Sequence, residues 1–187
     1  RAHTDAVSAR RAARHALQAD ARDALADGQI VAWFQPQVCT STGRLSGVEA
    51  LARWHHPDRG WISPADFLPA LAAAGQMTRL CDAILAQSLV ALRAWDAAGH
   101  EVPRVSINLA GADLADASLP RRVAWELDRA EVAPHRLGVE VLETVIVTTT
   151  DPTPARSLAA LKAMGCTIDL DDRSEERRVG KERATGC

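Results

Sequence analysis

The stretch VSINLAGADLADASLPRRVAWELDRAEVAPHRLGVEVL, residues 105–142, contains a strand, a helix and a second strand in that order. Its two ends, 105–107 and 137–142, are short apolar runs, whereas 119–130 has helical spacing with Pro120 near its start. A further helix from about residue 152 to Met164, followed by a strand at 167–170, repeats the pattern. This alternation predicts a parallel sheet with helices outside it, either doubly wound or closed into a barrel.

Upstream of this stretch, the sequence predicts two strands that pair as a hairpin, followed by two helices. The predicted strands are 30–34, ended by Gln35-Pro36, and 45–51, and residues 54–60 are predicted as a loop. Ser63 has the position of an N-cap and Pro64 that of the first helical residue, so a helix begins there. A longer helix covers 77–98, and residues 1–27 also have the spacing of an amphipathic helix.

Composition and charge narrow the range of partners. The chain has 187 residues, with 22 Lys and Arg against 24 Asp and Glu, and 47% of its residues are hydrophobic, as in a single globular domain. A formal charge of −2 argues against duplex nucleic acid, and 4% aromatic residues with no Tyr argue against single strands. No apolar run approaches the roughly 18–20 residues of a membrane span. We therefore expect a cytoplasmic location and no nucleic-acid polymer as a partner.

Oxygen-bearing side chains lie at the ends of four predicted strands. These residues are Glu49, Asn108, Glu140, Asp171 and Asp172. The carboxyl ends of parallel strands converge on one crevice, where α/β proteins place their catalytic groups. Carboxylate and amide oxygens are ligands of Mg²⁺, Mn²⁺ or Ca²⁺ rather than zinc, and Mg²⁺-type sites usually act on phosphates. Each residue alone is more often a turn or cap residue, but the set predicts a metal-dependent hydrolase of a phosphate ester.

An ordered set of short motifs resembles the EAL family of cyclic di-GMP phosphodiesterases. The motifs are FQPQV at 34–38, GVEALARW at 47–54, GWISPADFLP at 60–69, INLAGADL at 107–114, LGVEVLET at 137–144 and IDLDD at 168–172. Glu49-Ala50-Leu51 is the tripeptide that gives the family its name. The resemblance runs from about residue 24 to residue 172, in order and without large gaps.

The resemblance implies an α/β fold and a reaction. The fold is a modified TIM barrel with one strand antiparallel to the others, of which this chain holds the N-terminal half to two-thirds. The reaction is hydrolysis of one phosphodiester bond of cyclic di-GMP to give pGpG, with two Mg²⁺ or Mn²⁺ ions as cofactors and Ca²⁺ as an inhibitor. An upstream sensory or GGDEF-type domain and a homodimer are further features common in the family.

The resemblance also assigns roles to individual residues. The implied metal ligands are Glu49, Asn108, Glu140 and Asp171, with Asp172 as a ligand of the second metal. Of these, Glu49, Asp171 and Asp172 are the predicted catalytic residues. The predicted substrate-binding residues are Arg53, as the phosphate contact, and Gln35 and Leu51, which line the ligand.

The sequence departs from the family pattern after Asp172, where Arg173-Ser174 replaces the Phe-Gly that the family expects. We therefore expect a linker helix at 1–23, a partial EAL domain at 24–172 and a non-family tail, disordered or artefactual, at 173–187. On this expectation the remaining strands are missing and the chain itself has no turnover. Two alternatives stay open. One is a degenerate EAL domain that serves as a non-catalytic cyclic di-GMP receptor or protein-interaction module, and the other is an unrelated Mg²⁺-dependent barrel hydrolase.

Overall fold

Strands and helices alternate along the part of the chain that the structure describes. A computed structural model describes residues 16–17, 19–21, 23–142, 150–171 and 184–185. The strands are β1 (Ile30–Cys39), β2 (Leu45–His56), β3 (Gly60–Ile62), β4 (Val105–Leu109), β5 (Leu137–Leu142), β6 (Thr167–Asp171) and β7 (Ala184–Thr185). The helices are α1 (Pro64–Ala73), α2 (Met77–Ala97), α3 (Gly111–Leu114), α4 (Leu119–Arg129) and α5 (Thr153–Met164), with a 3₁₀ turn at Pro134–Arg136. The chain divides into two compact units, one formed by 1–31 and 52–80 and the other by 32–51 and 81–187.

The second unit is built on a sheet with the strand order β6-β5-β4-β2-β1-β7. β2, β4, β5 and β6 pair in parallel, which confirms the predicted parallel sheet. Two rows of partners cross these strands: Glu49, Ser106, Gly138 and Thr167 form the first row, and Asn108, Glu140 and Asp169 form the second. Because side chains alternate between the two faces of a strand, both rows lie on the same face of the sheet.

The opposite face of the same strands is apolar. Val105, Ile107 and Leu109 on β4, and Leu137, Val139 and Val141 on β5, are all buried. The connecting helices are amphipathic, and α4 buries Leu119, Val123 and Leu127 at a spacing of four residues. The apolar face of the sheet therefore forms the core beneath the helices, and the opposite, polar face can carry a site.

β1 is longer than its sequence predicts. The expectation that Gln35-Pro36 ends the strand is wrong, because β1 continues to Cys39. The hairpin to β2 closes where the Cys39 N–H donates to the Arg44 carbonyl at 2.9 Å. On its other side β1 pairs with a described strand, β7, only at Val38 and Cys39, so the missing N–H of Pro36 is tolerated there.

In the first unit the chain between Trp54 and Gly60 is not a loop, contrary to expectation. β2 extends to His56 and pairs antiparallel with β3, with Trp54 opposite Ile62 and His56 opposite Gly60. Trp54 is fully buried, its ring meets Phe67 edge-on with centroids 6.0 Å apart, and its Nε1 donates to Gln29 Oε1 at 2.9 Å. The burial of Trp54 and the pairing with β3 therefore keep the chain extended to His56, although the polar residues after Trp54 favour a loop.

The predicted helix boundaries are confirmed at most of their ends. Ser63 is the N-cap of α1 and its Oγ accepts from the Ala65 N–H at 3.3 Å, with Pro64 as the first helical residue. Gly165, with φ of +112°, ends α5 in the left-handed conformation that favours glycine. Turn chemistry that is local in sequence therefore fixed these boundaries correctly.

The two ends of the chain are described only in part. The described residues of 16–24 are helical, and Leu17, Ala21 and Ala24 are buried, but the predicted helix over 1–15 lies outside the described residues. Most of the predicted tail at 173–187 also lies outside them, and its residues Ala184 and Thr185 pair with β1. Within the described ranges, no helix has the length and hydrophobicity needed to cross a membrane.

Candidate functional site

The polar face of the second unit brings together three of the predicted site residues. The expectation that they end their strands is wrong, because Glu49 lies seven residues before the end of β2 and Asn108 and Glu140 lie opposite each other within β4 and β5. The Nδ2 of Asn108 donates to Glu49 Oε1 at 2.9 Å, which joins the two rows of the sheet. Glu49 and Glu140 are only 4% and 5% exposed. Two buried carboxylates and one amide therefore occupy neighbouring strands on one face of the sheet.

Gln37 is a member of this cluster that the sequence reasoning missed. Its Nε2 donates to Glu140 Oε1 at 3.0 Å, and the contact is buried. β1 is separated from β5 by β2 and β4 in the sheet order, so this contact requires the sheet to curve toward its polar face. Such curvature is the geometry of a barrel wall.

The family motif directs attention to Gln35, two residues before Gln37. Both residues lie on the same side of β1 because side chains alternate along a strand. Gln35 is exposed, whereas Gln37 is 3% exposed. The alternation of β1 could have identified Gln37, but the expected end of the strand at Pro36 concealed it.

The donor set fits a hard divalent cation. The Oε1 of Gln37 is buried and has no hydrogen-bond partner within the described part of the chain. An unpartnered carbonyl oxygen beside the carboxylate of Glu140 supplies the oxygen chemistry that Mg²⁺ and Mn²⁺ prefer. Among the described residues, no three His, Cys, Asp or Glu side chains lie together as a group that could hold a metal ion.

The other predicted site residues are placed less completely. The backbone of Asp171 ends β6 opposite Leu142, and Asp172 lies outside the described residues. Leu51 is half-buried on β2 in the second unit. Arg53 belongs to the first unit, is half-buried, and donates from Nη1 to the Ala52 carbonyl at 2.9 Å. The structure therefore brings Glu49, Asn108 and Glu140 together, and the roles of the remaining residues stay predictions.

A charged pair lies on the same polar face. Arg104, the residue before β4, contacts Asp169 on β6, with its Nη2 3.2 Å from Asp169 Oδ2. Its Nη1 also donates to Thr167 Oγ1 at 3.2 Å. Sequence reasoning missed this pair because its two members are 65 positions apart and neither belongs to a motif.

Comparison with known proteins identifies a family and several relatives. The family profile described as "EAL domain" matches residues 18–176. The bifunctional diguanylate cyclase/cyclic di-GMP phosphodiesterase MucR of Pseudomonas aeruginosa is 35% identical over 153 residues, which cover 82% of this chain and 22% of MucR. The cyclic di-GMP phosphodiesterase NbdA of the same organism is 33% identical over 156 residues, covering 83% of this chain and 20% of NbdA. The chain thus spans about a fifth of the length of these relatives.

Solved structures show the same fold. The PaMucR phosphodiesterase in complex with c-di-GMP superposes with a TM-score of 0.78 at 33% identity, covering 87% of this chain and 66% of that one. The FimX EAL domain of Xanthomonas citri in complex with c-diGMP has a TM-score of 0.75 at 20% identity, covering 87% of this chain and 62% of that one. At that lower identity the likeness concerns the fold alone.

Proposed function

Since the chain belongs to the EAL domain family, we propose that it forms part of a phosphodiesterase that hydrolyses cyclic di-GMP to pGpG. The observation that carries this proposal is the contact between Asn108 and Glu49, beside Glu140 on the next strand. These residues belong to three separate family motifs, and the fold places their side chains on one polar face. MucR and NbdA, both named as cyclic di-GMP phosphodiesterases, support the choice of substrate.

The proposed cofactor is a pair of Mg²⁺ or Mn²⁺ ions. Glu49, Asn108, Glu140 and Asp171 are the proposed ligands, Asp172 is a ligand of the second ion, and Ca²⁺ is an inhibitor. When bound, such ions supply an activated water and stabilise the charge that develops on the phosphate. Buried carboxylates suit this role because several of them in one site would repel one another without a cation among them.

Gln37 and the remaining predicted residues have separate tasks in this proposal. Gln37 holds Glu140 in one orientation through its Nε2, and Asn108 does the same for Glu49. Arg53 is the proposed phosphate contact, because a guanidinium binds phosphate oxygens with a planar fork of donors. Gln35 and Leu51 are the proposed ligand-lining residues.

Several features of the whole protein are also proposed. An upstream sensory or GGDEF-type domain accords with MucR, which carries two activities in one chain. A homodimer and a cytoplasmic location are further proposals that follow from the family resemblance.

A binding titration and a chimera test the proposed function. Mn²⁺ titrated into the purified chain should bind, and Glu49→Gln or Glu140→Gln should weaken binding at least about tenfold, because each removes a charged ligand. A chimera that joins residues 1–172 to the C-terminal part of the MucR phosphodiesterase should convert cyclic di-GMP to pGpG, measured by chromatography. The Glu49→Gln chimera is the matched control and should have no turnover.

Two results would count against the enzyme. A folded chimera that binds cyclic di-GMP without forming pGpG would support the non-catalytic receptor instead. Mn²⁺ affinity that is the same in the chain and in both glutamine variants would remove the proposed metal site.

A further inference from the structure

Arg104 is placed on the polar face by the backbone of β4. The Val48 N–H donates to the Arg104 carbonyl at 3.0 Å, so the strand ladder between β2 and β4 includes this residue. Because every second side chain of a strand points to the same face, Arg104, Ser106 and Asn108 share one side of β4. Ser106 and Asn108 belong to the two polar rows. The Arg104 side chain therefore lies on the polar face that carries Glu49 and Glu140, at the amino-terminal end of β4.

Gly47 provides the space that the aliphatic stem of Arg104 occupies. A Cβ added at Gly47 would lie 2.7 Å from Arg104 Cγ and 3.0 Å from the Arg104 carbonyl oxygen. No larger residue fits at position 47 without moving the arginine. The glycine and the arginine are thus complementary in size on neighbouring strands.

The Asp169 carboxylate is the group that Arg104 contacts on this face. It lies directly opposite Glu140, and neighbouring strands are about 4.8 Å apart, so two acidic side chains share adjacent positions on one face. Like charges placed opposite each other are unfavourable. The contacts of Arg104 with Asp169 Oδ2 and Thr167 Oγ1, both at 3.2 Å, join Asp169 to a residue at the amino-terminal end of β4.

We infer that Arg104 is a positioning residue that directs the Asp169 carboxylate away from the proposed metal ligands, so that Glu140 and not Asp169 binds the cation. The inference rests on the proposed function, since it concerns the composition of that metal site. Without Arg104, Asp169 would be an additional carboxylate next to Glu140, and the polar face would lose a positive charge. Both changes would strengthen the binding of a divalent cation to this face.

Titration of Mn²⁺ into the full chain and its variants tests the inference. Arg104→Met should bind Mn²⁺ about fivefold or more tightly than the unsubstituted chain, because a positive charge is removed and a carboxylate is released. Arg104→Lys, which keeps the charge, should stay within about twofold. Asp169→Asn should bind a few times more weakly, since the charge of Arg104 is then unopposed. The double variant should return close to the unsubstituted affinity. A purely structural role would lower the affinity of Arg104→Met rather than raise it.

Arg136 offers a matched control. It precedes β5 as Arg104 precedes β4, and Val105 and Leu137, the next residues, are opposite each other. Its guanidinium instead bonds Asp96, with Nη1 2.6 Å from Oδ2 and Nη2 2.8 Å from Oδ1. Arg136→Met removes the same charge without releasing Asp169, so it should change Mn²⁺ affinity less than twofold.

The outcomes separate this inference from the proposed function. If Glu49→Gln and Glu140→Gln weaken Mn²⁺ binding but Arg104→Met leaves it unchanged or weaker, only the inference is overturned. An equal gain in Arg104→Met and Arg136→Met also overturns it, because the effect would then be general electrostatics. If the glutamine variants have no effect, both are overturned. Should Arg104→Met fail to fold, as judged by circular dichroism, Arg104→Gln removes the same charge with a polar side chain, and Mn²⁺ binding no tighter than that of the unsubstituted chain then overturns the inference.

Discussion

Gln37 donates a hydrogen bond from Nε2 to Oε1 of Glu140 at 3.0 Å and so connects β1 to β5 across the polar face. The two residues are 103 positions apart in the chain. A contact of this kind fixes the curvature of the sheet and the orientation of a proposed metal ligand at the same time.

Replacement of Gln37 by Met should destabilise the protein. The change keeps the length of the side chain but removes a buried donor to Glu140, and the expected loss is about 1–3 kcal/mol in the free energy of unfolding. Urea denaturation followed by circular dichroism measures it. Gln35→Met is the control on the same side of β1, and because Gln35 is exposed it should change stability by less than about 0.5 kcal/mol. Equal losses in both variants would contradict the buried role of Gln37.

Gly138 and Ser106 should behave as a size-matched pair. A Cβ at Gly138 would clash with Ser106 Oγ and lie 3.2 Å from Thr167 Oγ1. Gly138→Ala should therefore cost about 1–3 kcal/mol of stability through overpacking. Ser106→Ala alone should be close to neutral, because the Ser106 hydroxyl is buried without a described partner.

The double variant provides the decisive comparison. Adding Ser106→Ala to Gly138→Ala removes the clashing oxygen, so at least half of the lost stability should return. A strictly additive double variant would show that the cost comes from the strand backbone and not from the serine.

Trp54 should be the most sensitive aromatic residue of the first unit. Trp54→Phe loses ring volume and the donor to Gln29 Oε1, and we expect a loss of about 2–3 kcal/mol in thermal or urea unfolding. Trp125→Phe is the control, because Trp125 is 61% exposed on α4 and its ring contact with Arg129 is kept. That variant should stay within about 0.5 kcal/mol. A tolerant Trp54 would mean that its burial contributes little to the unit.

Asp116 should stabilise the protein in acid. Hydrogen bonds from the Ser118 side chain and N–H, with a further one from Arg122, lower the pKa of Asp116 to about 2. Its stabilising contribution is present above the unfolded pKa of 3.8 and is lost as the pH falls from there through about 2. Since the carboxylate is 35% exposed, solvent screening reduces the contribution to about 1 kcal/mol. Asp116→Asn should lower stability at pH 6 and flatten the decline between pH 4 and pH 2 in urea titrations.

The pKa of Asp113 is shifted in the opposite direction to that of Asp116, so Asp113→Asn serves as the control. Burial raises the pKa of Asp113 above 3.8, despite the hydrogen bond that it accepts from the Ala110 N–H at 2.9 Å. A raised pKa means that stability is lost as the pH rises from 3.8 through the higher value. Asp113→Asn should remove that loss. Matching pH profiles in the two variants would contradict both assignments.

The fold was predictable where local chemistry decides it. The bounds of β5 agree with the predicted strand because apolar residues alternate from Leu137 to Val141. The ends of β1 and β2 were underestimated, since Pro36 and the polar residues after Trp54 resemble chain breakers. Pairing with other strands overrides those local signals, and it cannot be read from one segment alone.

Some residues of the candidate site could likewise be predicted from the sequence, and others could not. Glu49, Asn108 and Glu140 could be found because they follow or belong to short apolar runs that indicate parallel strands, although the structure places them within the strands and not at their ends. Gln37, Arg104 and Asp169 could not, because their contacts depend on strand register, on sheet curvature and on the space beside Gly47. Those quantities appear only when the strands are assembled.

The amide of Asn108 gives the proposed site a spectroscopic reporter. Its Nδ2 faces Glu49 Oε1 because a carboxylate can only accept a hydrogen bond, so the Oδ1 edge points away from Glu49. A cation that shares Glu49 and Asn108 needs the Oδ1 edge instead. Binding of such a cation would therefore change the surroundings of the Asn108 amide. The side-chain NH₂ resonances of Asn108 would record that change directly, in the absence of substrate and of any turnover.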